Sequence, residues 1–423
     1  MGLRRRATVA YPAAMPPAER SIVWILWLTY GAFYFCRTNI SAAVPGMQAE
    51  LGFTKTQIGL VLGALKLAYG VGQLINGQMA ERLPARWLLA IGMFGSAVLN
   101  VIFGFGAALY FLLFVWAANG YCQALGWTPV MRVTANWIPA ERRGRAIGII
   151  GTGYQATAAL TFVVAGWSAE WLGWRGALYL PAVLLALAGI FMLVFLRESP
   201  EQAAALARPA ERGSVRLNVL ETLGNPALWL LALSLGLLNA CRYGFVDWGL
   251  THLKETQGTG VGKAALNYAI LPVGGIAGAY LAGWATDRLF GSRRAPVIAT
   301  LLAALGVLTM LYDWVARTSA AATVALLLLV GFLIYGPQVL LVGTAPADLA
   351  RRGTAAAAAG FVNFVGYMGA YAGDLLTGRL VDVYGWRTAV MSWAGCAFAA
   401  AAFSALLWNA AAQPRAAAAG MRT

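Results

Sequence analysis

Charge is scarce in this chain. Of its 423 residues only 11% are Asp, Glu, Lys or Arg, while 60% are hydrophobic and the mean hydropathy is +0.67. Soluble domains carry roughly a quarter charged residues, so the balance points to a membrane protein. Histidine is nearly absent: His252 stands alone, which argues against a multi-histidine metal centre. The cysteines Cys36, Cys122, Cys241 and Cys396 fall inside apolar runs with no CxxC spacing, so they read as buried thiols. No nucleophile–base set, metal cluster or cofactor motif stands out, so neither an enzyme nor a bound cofactor is expected. Residues 1–20 hold Arg4, Arg5 and Arg6 but no apolar core. They read as a cytoplasmic tail, not a cleaved leader.

Acidic residues are scarcer than basic ones, 16 against 31, for a net charge of +15. A nucleic-acid partner does not follow. The arginines form no basic domain with interleaved aromatics; they cluster in short intervals between apolar runs.

What is plentiful is apolar sequence in long stretches. A spanning helix needs roughly 20 mostly apolar residues. Such runs fall near 21–45, 56–80, 87–106, 108–135, 145–169, 176–196, 226–251, 264–286, 295–313, 320–346, 354–380 and 387–411. The expected fold is therefore an all-α membrane protein with twelve transmembrane helices. Alternate loops carry the arginines: Arg82 and Arg86; Arg142, Arg143 and Arg145; Arg197, Arg208, Arg212 and Arg216; Arg288, Arg293 and Arg294; Arg351 and Arg352. The other loops are nearly bare. The positive-inside bias then sets both termini in the cytoplasm of a bacterial-type inner membrane.

The longest polar interval divides the chain into a half at 21–197, a linker at 198–222 and a half at 223–411, with an Ala-rich tail at 412–423. The halves echo each other. GQMAER at 77–82 recurs as GWATDR at 283–288, Arg37 is answered by Arg242, and Trp174-Arg175 by Trp386-Arg387, at offsets of 206, 205 and 212. Two pseudo-symmetric six-helix halves in parallel repeat describe the major facilitator architecture. A monomer is expected.

An ionisable group at mid-membrane costs about 2.5–3.5 kcal/mol on insertion scales, so buried charges mark function. Arg37 and Arg242 lie at matching depth in the first and seventh runs. A planar fork on either side of a cavity suits bidentate capture of phosphate or carboxylate oxygens. The blander alternative pairs Arg242 with Asp247, but five residues is a poor intrahelical spacing. Lys66, Tyr69 and Gln73 form one polar helix face that should line the cavity. Lys66 either pairs with Asp374 across the second and eleventh helices as a gate, or touches substrate itself, or snorkels. Tyr30, Tyr34, Trp127, Tyr154, Tyr335 and Tyr367 cluster at similar depth, each able to pack or to offer a polar tip. Two decoys are set aside. GTGVGKA at 258–264 has a phosphate loop's look, but three residues rather than four separate Gly258 from Gly262, and Ala264 replaces the Ser or Thr. Gly151-Thr152-Gly153 lies within a membrane run, where small residues serve close packing.

These residues resemble the organophosphate:phosphate antiporters of the major facilitator superfamily, over most of the chain from about Tyr30 to Trp386. The matching stretches are FYFCRTN around Arg37, AYGVGQ around Tyr69, QALGWTPVMR at 123–132, CRYGFVDW around Arg242, GFLIYGP at 331–337, and the Tyr367 region followed by VDVYGW. The resemblance implies that Arg37 and Arg242 bind a phosphoryl group, with Tyr34, Tyr69, Trp127, Tyr335 and Tyr367 in the pocket. The chain departs from the glycerol-phosphate members at Gln73 and Thr38, where they have lysines, at Tyr154, where they have histidine, and at Pro272, where they have glutamate. Thr38 in particular removes the usual lysine partner of the acid at Asp247. Gly373-Asp374 is similar to the hexose-phosphate branch, and Lys66, on the same face as Gln73, could stand in for the missing lysine.

The expected activity is rocker-switch exchange of an organophosphate for inorganic phosphate. Two guanidiniums meet a ligand of about −1.5 to −2 charge; emptied, they repel each other and disfavour an occluded state. A non-transporting sensor of sugar phosphates and a proton-coupled anion or drug transporter are the rivals. Against the latter, only Asp247 and Asp374 are expected as acids inside the membrane, with no buried histidine.

Overall fold

A bilayer's hydrocarbon core offers no partner to an unpaired backbone group, so a chain of long apolar runs spans it as helices that satisfy themselves. The computed structural model describes residues 15–200, 220–291, 293–350 and 354–410, and is helical with no strand among them. Twelve rods run back and forth. α1 is Pro17–Ala32, continued through a tight turn Phe33–Cys36 into Ile40–Leu51; α2 is Lys55–Arg82 and α3 Ala85–Gly104. α4 is Leu109–Trp137, α5 Ala140–Leu172, α6 Gly176–Phe195, α7 Pro226–Gln257 and α8 Val261–Leu289. α9 is Arg294–Thr318, α10 Ala320–Leu349, α11 Ala355–Tyr384 and α12 Trp386–Ala405. Most rods overrun the expected boundaries by a few residues, because polar ends continue the helix beyond its apolar middle. Residues 1–14 of the expected N-terminal tail, the 412–423 tail and most of the 198–222 interval, with Arg208, Arg212, Arg216, Arg351 and Arg352, lie outside the described residues, whereas Pro17–Arg20, expected in the tail, already belong to α1.

Ten rods are long and apolar enough to cross a membrane on length and composition alone. The other two have identifiable reasons to fall short. α1 is split at 33–39, and α11 is diluted by glycine, tyrosine and the charges Asp374, Arg379 and Asp382. Large apolar side chains such as Phe114, Trp171 and Tyr280 stand exposed on the outer surface. A water-soluble monomer does not tolerate so broad an apolar exterior.

The repeat seen in sequence extends to the turns. Gly52 and Gly258 end α1 and α7 in the left-handed region, at φ +67° and +62°. Gly173 and Gly385 do the same after α5 and α11, at φ +72° and +81°. Their spacings, 206 and 212, match those of the motifs. A side chain is strained in that region, so these four turns hold glycine. The fold is two six-helix halves.

The halves touch unevenly. Toward the face carrying turns 52–54, 173–175, 258–260 and 385, here the far face, they are sewn together. The Asp382 carboxylate of α11 accepts from the backbone N–H of Lys55 (3.0 Å) and Thr56 (2.7 Å) and from the Thr56 hydroxyl (2.6 Å), at the start of α2. Glu170 of α5 accepts from Gly262 N–H at the start of α8, at 2.7 Å. Lys55 reaches Glu255 of α7 at 3.1 Å. Down α5, the stripe Glu170, Gly166, Phe162, Gln155 meets α8 at Gly262, Ala265, Tyr268 and Gly275. The same stripe continues to Gly151 and Gly148, where an added methyl would meet nothing within 4 Å. α11 behaves alike: Gly378, Asp374, Tyr371 and Tyr367 meet α2, whereas Gly360 looks onto open space. The halves splay toward the near face, where α1 begins.

Candidate binding site

Two of the rods that lead the halves are broken beside their arginine. In α1 a 3-10 turn at Phe33–Cys36 gives way to non-helical residues at 37–39 before Ile40. In α7 a π-turn, Gly244–Trp248, follows Arg242 almost at once. Irregular backbone at membrane depth is tolerated where it is buried in protein or lines a cavity, and π-turns recur at functional sites. The sequence indicated neither break.

Both guanidiniums are buried, at 4% and 2% exposure for Arg37 and Arg242. Each lies against aromatic faces. The Arg37 guanidinium carbon is 4.7 Å from the Tyr34 ring and 4.4 Å from the Tyr69 ring. That of Arg242 is 4.7 Å from Tyr243 and 5.1 Å from Tyr335. The rings close a collar. Tyr34 stacks on Tyr154 (4.9 Å), which neighbours Tyr335 (6.2 Å); on the other side Tyr69 packs on Tyr367 (4.4 Å), which neighbours Tyr243 (6.4 Å). Tyr30 and Trp127 (4.8 Å) extend the collar toward the near face. Two cations and seven tyrosines from six rods therefore surround one region between the halves. Gln73 is half-buried one turn further along α2 from Tyr69. Tyr243 is the collar member the sequence reading missed, although it directly follows Arg242.

The two arginines differ in their partners. Arg37 donates from Nε to the Gln123 side-chain oxygen at 3.0 Å and lies 3.3 Å from the Tyr34 hydroxyl. The Arg242 Nε is buried with no hydrogen-bond partner among the described residues. Buried polar groups are almost always satisfied.

Lys66 sits beyond the collar toward the far face. Its ammonium pairs with Asp374 at 2.9 Å and, more closely, with Asp247. All three side chains are nearly inaccessible. One lysine from α2 is thus held between carboxylates of α7 and α11, in the other half. Of the three readings of Lys66, the geometry is that of the ion pair, here with two acids. It also corrects one expectation: Asp247 does not lack a cation, because Lys66 of α2 supplies one. As the five-residue spacing argues, the ion pair of Asp247 is with Lys66 and not with Arg242.

Three further corrections concern what is buried. His252 is fully buried, held by Tyr312 (3.2 Å) and Asp313 (2.9 Å), and Asp313 in turn takes both a 2.9 Å and a 3.1 Å contact from Arg317. So the second half does bury a histidine and a third acid. They lie near the far ends of α7 and α9, away from the collar. Cys36 and Cys241 are buried, but Cys122 and Cys396 are only half-buried. Among the described residues no group of three His, Cys, Asp or Glu side chains is placed to hold a metal.

A helical bundle of this topology, with an inter-half cleft of fixed charges, is that of a membrane transporter rather than an enzyme. The chain belongs to the Major Facilitator Superfamily, whose profile matches residues 26–373. It is 30% identical to the glycerol-3-phosphate transporter of Bacillus subtilis, with 91% of each chain covered. It is 29% identical to the membrane sensor protein UhpC of Escherichia coli, covering 87% of each. A protein of Chlamydia trachomatis named "Probable hexose phosphate transport protein" is 28% identical, over 93% of this chain and 91% of its own. Among solved structures, a bacterial homologue of the lysosomal transporter Spinster, inward-facing and occupied, superposes with a TM-score of 0.77 over 93% of this chain and 97% of its own, at 17% identity. That last likeness shows the fold alone.

Proposed function

We propose that this protein carries a phosphorylated organic anion, of the sugar-phosphate or glycerol-3-phosphate kind, across a bacterial inner membrane in exchange for inorganic phosphate. The observation that carries the reading is the pair of buried arginines from opposite halves, one with an unpartnered Nε, inside a collar of tyrosines. The names of the relatives point to the same ligand chemistry. Arg37 and Arg242 take the phosphoryl oxygens. Tyr34, Tyr69, Tyr154, Tyr335, Tyr367 and Trp127 enclose the ligand, and Gln73 meets its organic part. Lys66, with Asp247 and Asp374, ties the halves together rather than meeting the ligand.

In this reading the near face is cytoplasmic, as the arginine bias of its loops requires, and the structure is the inward-open member of a rocker-switch cycle. The halves, 21–197 and 223–411, rock as units about the site, joined by the 198–222 linker, and the monomer suffices. With two cations facing each other, an empty site resists occlusion, and a dianion relieves that repulsion. Exchange is then faster than empty return. Counterflow of labelled phosphate in proteoliposomes tests this: uptake should require phosphate or glycerol-3-phosphate on the opposite side. Equal uptake into empty vesicles would refute antiport.

A second reading has one specific support, the likeness to the UhpC sensor. A sensor shares the site but not the flux. It is favoured if phosphate esters raise the melting temperature of the purified protein while counterflow is nil.

A further inference from the structure

We infer that Gln123 is a positioning residue that makes the two arginines unequal: it fixes Arg37 as the rigid anchor for the anion and leaves Arg242 to adjust. This rests on the proposed phosphate site and adds a division of labour within it.

The argument starts from the break in α1. Arg37 and Thr38 both donate their backbone N–H to the Tyr34 carbonyl, at 3.2 Å each. The carbonyl of Phe33 therefore loses the Arg37 N–H that a continuous α-helix would supply and keeps only the poorer geometry of the 3-10 turn. A second donor offsets that loss. Gln123 supplies it: its Nε2 donates to the Phe33 carbonyl at 3.0 Å and to the Ser96 hydroxyl at 2.8 Å. Nearby, Asn119 donates to the Cys36 carbonyl at 2.9 Å, completing the repair. Gln123 is fully buried, and both of its amide hydrogens are now spent. Its oxygen can face only one way, toward Arg37 Nε at 3.0 Å. Gln123 itself ends the first segment of α4, so two interrupted rods lock onto each other. With Nε held by the Gln123 side chain, Nη2 resting 3.5 Å from the Gln123 backbone carbonyl and the plane clamped between Tyr34 and Tyr69, Nη1 is the nitrogen left at the collar, 3.3 Å from the Tyr34 hydroxyl.

The second half has no such device, and the repeat says why. Pro129 of α4 and Pro337 of α10 lie 208 residues apart; the same offset sets Gly331 opposite Gln123. No side chain fits there, since a Cβ on Gly331 would run into the Leu271 carbonyl. Arg242 lies against the rings of Tyr243 and Tyr335, with Tyr335 also a side-chain hydrogen-bond partner, and its Nε has no partner among the described residues. A prearranged donor loses less entropy on binding than a free one. The anion thus finds Arg37 ready and draws in Arg242.

The test uses the purified full chain, inorganic phosphate as the probe, and Kd by calorimetry beside the ligand-free melting temperature. Gln123→Met keeps volume without polar atoms and is expected to weaken phosphate roughly tenfold, about the worth of one hydrogen bond to a charged group. Arg37→Lys should cost much less in the Gln123→Met background than in the native one, while Arg242→Lys should cost the same in both; a purely structural role moves neither ratio. Gln123→Glu, which neutralises Arg37 in place, should abolish binding even where the melting temperature is held, so a poorly folding Met variant does not spare the inference. Native-like binding by Gln123→Glu, or equal costs in both backgrounds, overturns the positioning role and leaves the phosphate site standing. If the unaltered protein binds neither phosphate nor glycerol-3-phosphate, the site reading fails first and this one with it.

Discussion

At the scale of single residues the decisive fact is that five charges, Arg37, Arg242, Lys66, Asp247 and Asp374, are buried at and beside the collar and only some are paired. Lys66 is shared by two carboxylates, so removing it strands both. Breaking a buried ion pair costs about 3–5 kcal/mol, whereas replacing the whole cluster by neutral groups of similar shape can be nearly neutral. Lys66→Met is therefore expected to lower the melting temperature sharply, and Lys66→Met with Asp247→Asn and Asp374→Asn to restore most of it. A restored triple variant that still binds phosphate would place Lys66 in the scaffold; one that is stable but blind to phosphate would return it to the pocket. Arg37→Lys keeps the charge but loses the fork. Phosphate affinity is expected to fall by at least an order of magnitude, about 1.4 kcal/mol or more, with little change in stability.

The element scale concerns helix ends. At the far face each half supplies a carboxylate to the exposed N–H groups of a helix in the other half: Asp382 to α2, and Glu170 to α8. Those two acids are 212 residues apart, the offset of the turn glycines that follow them. A helix N-terminus favours negative charge by about 0.3–1 kcal/mol when exposed, and a lost cap costs about 1 kcal/mol. Such small terms matter where two conformations nearly balance. Asp382→Asn and Glu170→Gln are each expected to bias the protein away from the far-closed form, and the pair together more than either. Gly166, packed against Ala265 with no room for a Cβ, makes the same point sterically. Gly166→Leu should hold the far face apart. Double electron–electron resonance between labels on α5 and α8 measures the shift; unchanged distance distributions in all four variants would mean that these contacts decorate the closed form without stabilising it.

For the whole molecule the question is which face is open. The near halves of the α5 and α11 stripes have no neighbour at Gly148, Gly151 and Gly360. A membrane-impermeant maleimide is expected to label Gly360→Cys readily from the near face in the ligand-free protein, with the native cysteines as the background control. Adding Asp382→Asn should slow that labelling, since releasing the far seal allows the near face to close. Labelling that is insensitive to Asp382 would separate the two faces and argue against motion of the halves as units.

Much of this was legible in the chain itself. Scarce charge and long apolar runs specify twelve helices, because lipid leaves no alternative for the backbone, and the repeated motifs specify two halves. Arg37, Arg242, Lys66, Asp247 and Asp374 stood out for the same reason: a charge within an apolar run is expensive and seldom idle. What sequence could not supply was which charge meets which. Lys66 and its two acids are 181 and 308 residues apart, and Lys66 could as well have met a ligand until the packing of α2 against α7 and α11 was known. His252 was misjudged because burial near a helix end depends on neighbouring rods, not on local hydropathy. The breaks in α1 and α7, and Gln123 as the group that mends one of them, belong to the tertiary structure entirely. An amide reads as one more polar residue until a carbonyl freed by an interrupted helix is seen to need it.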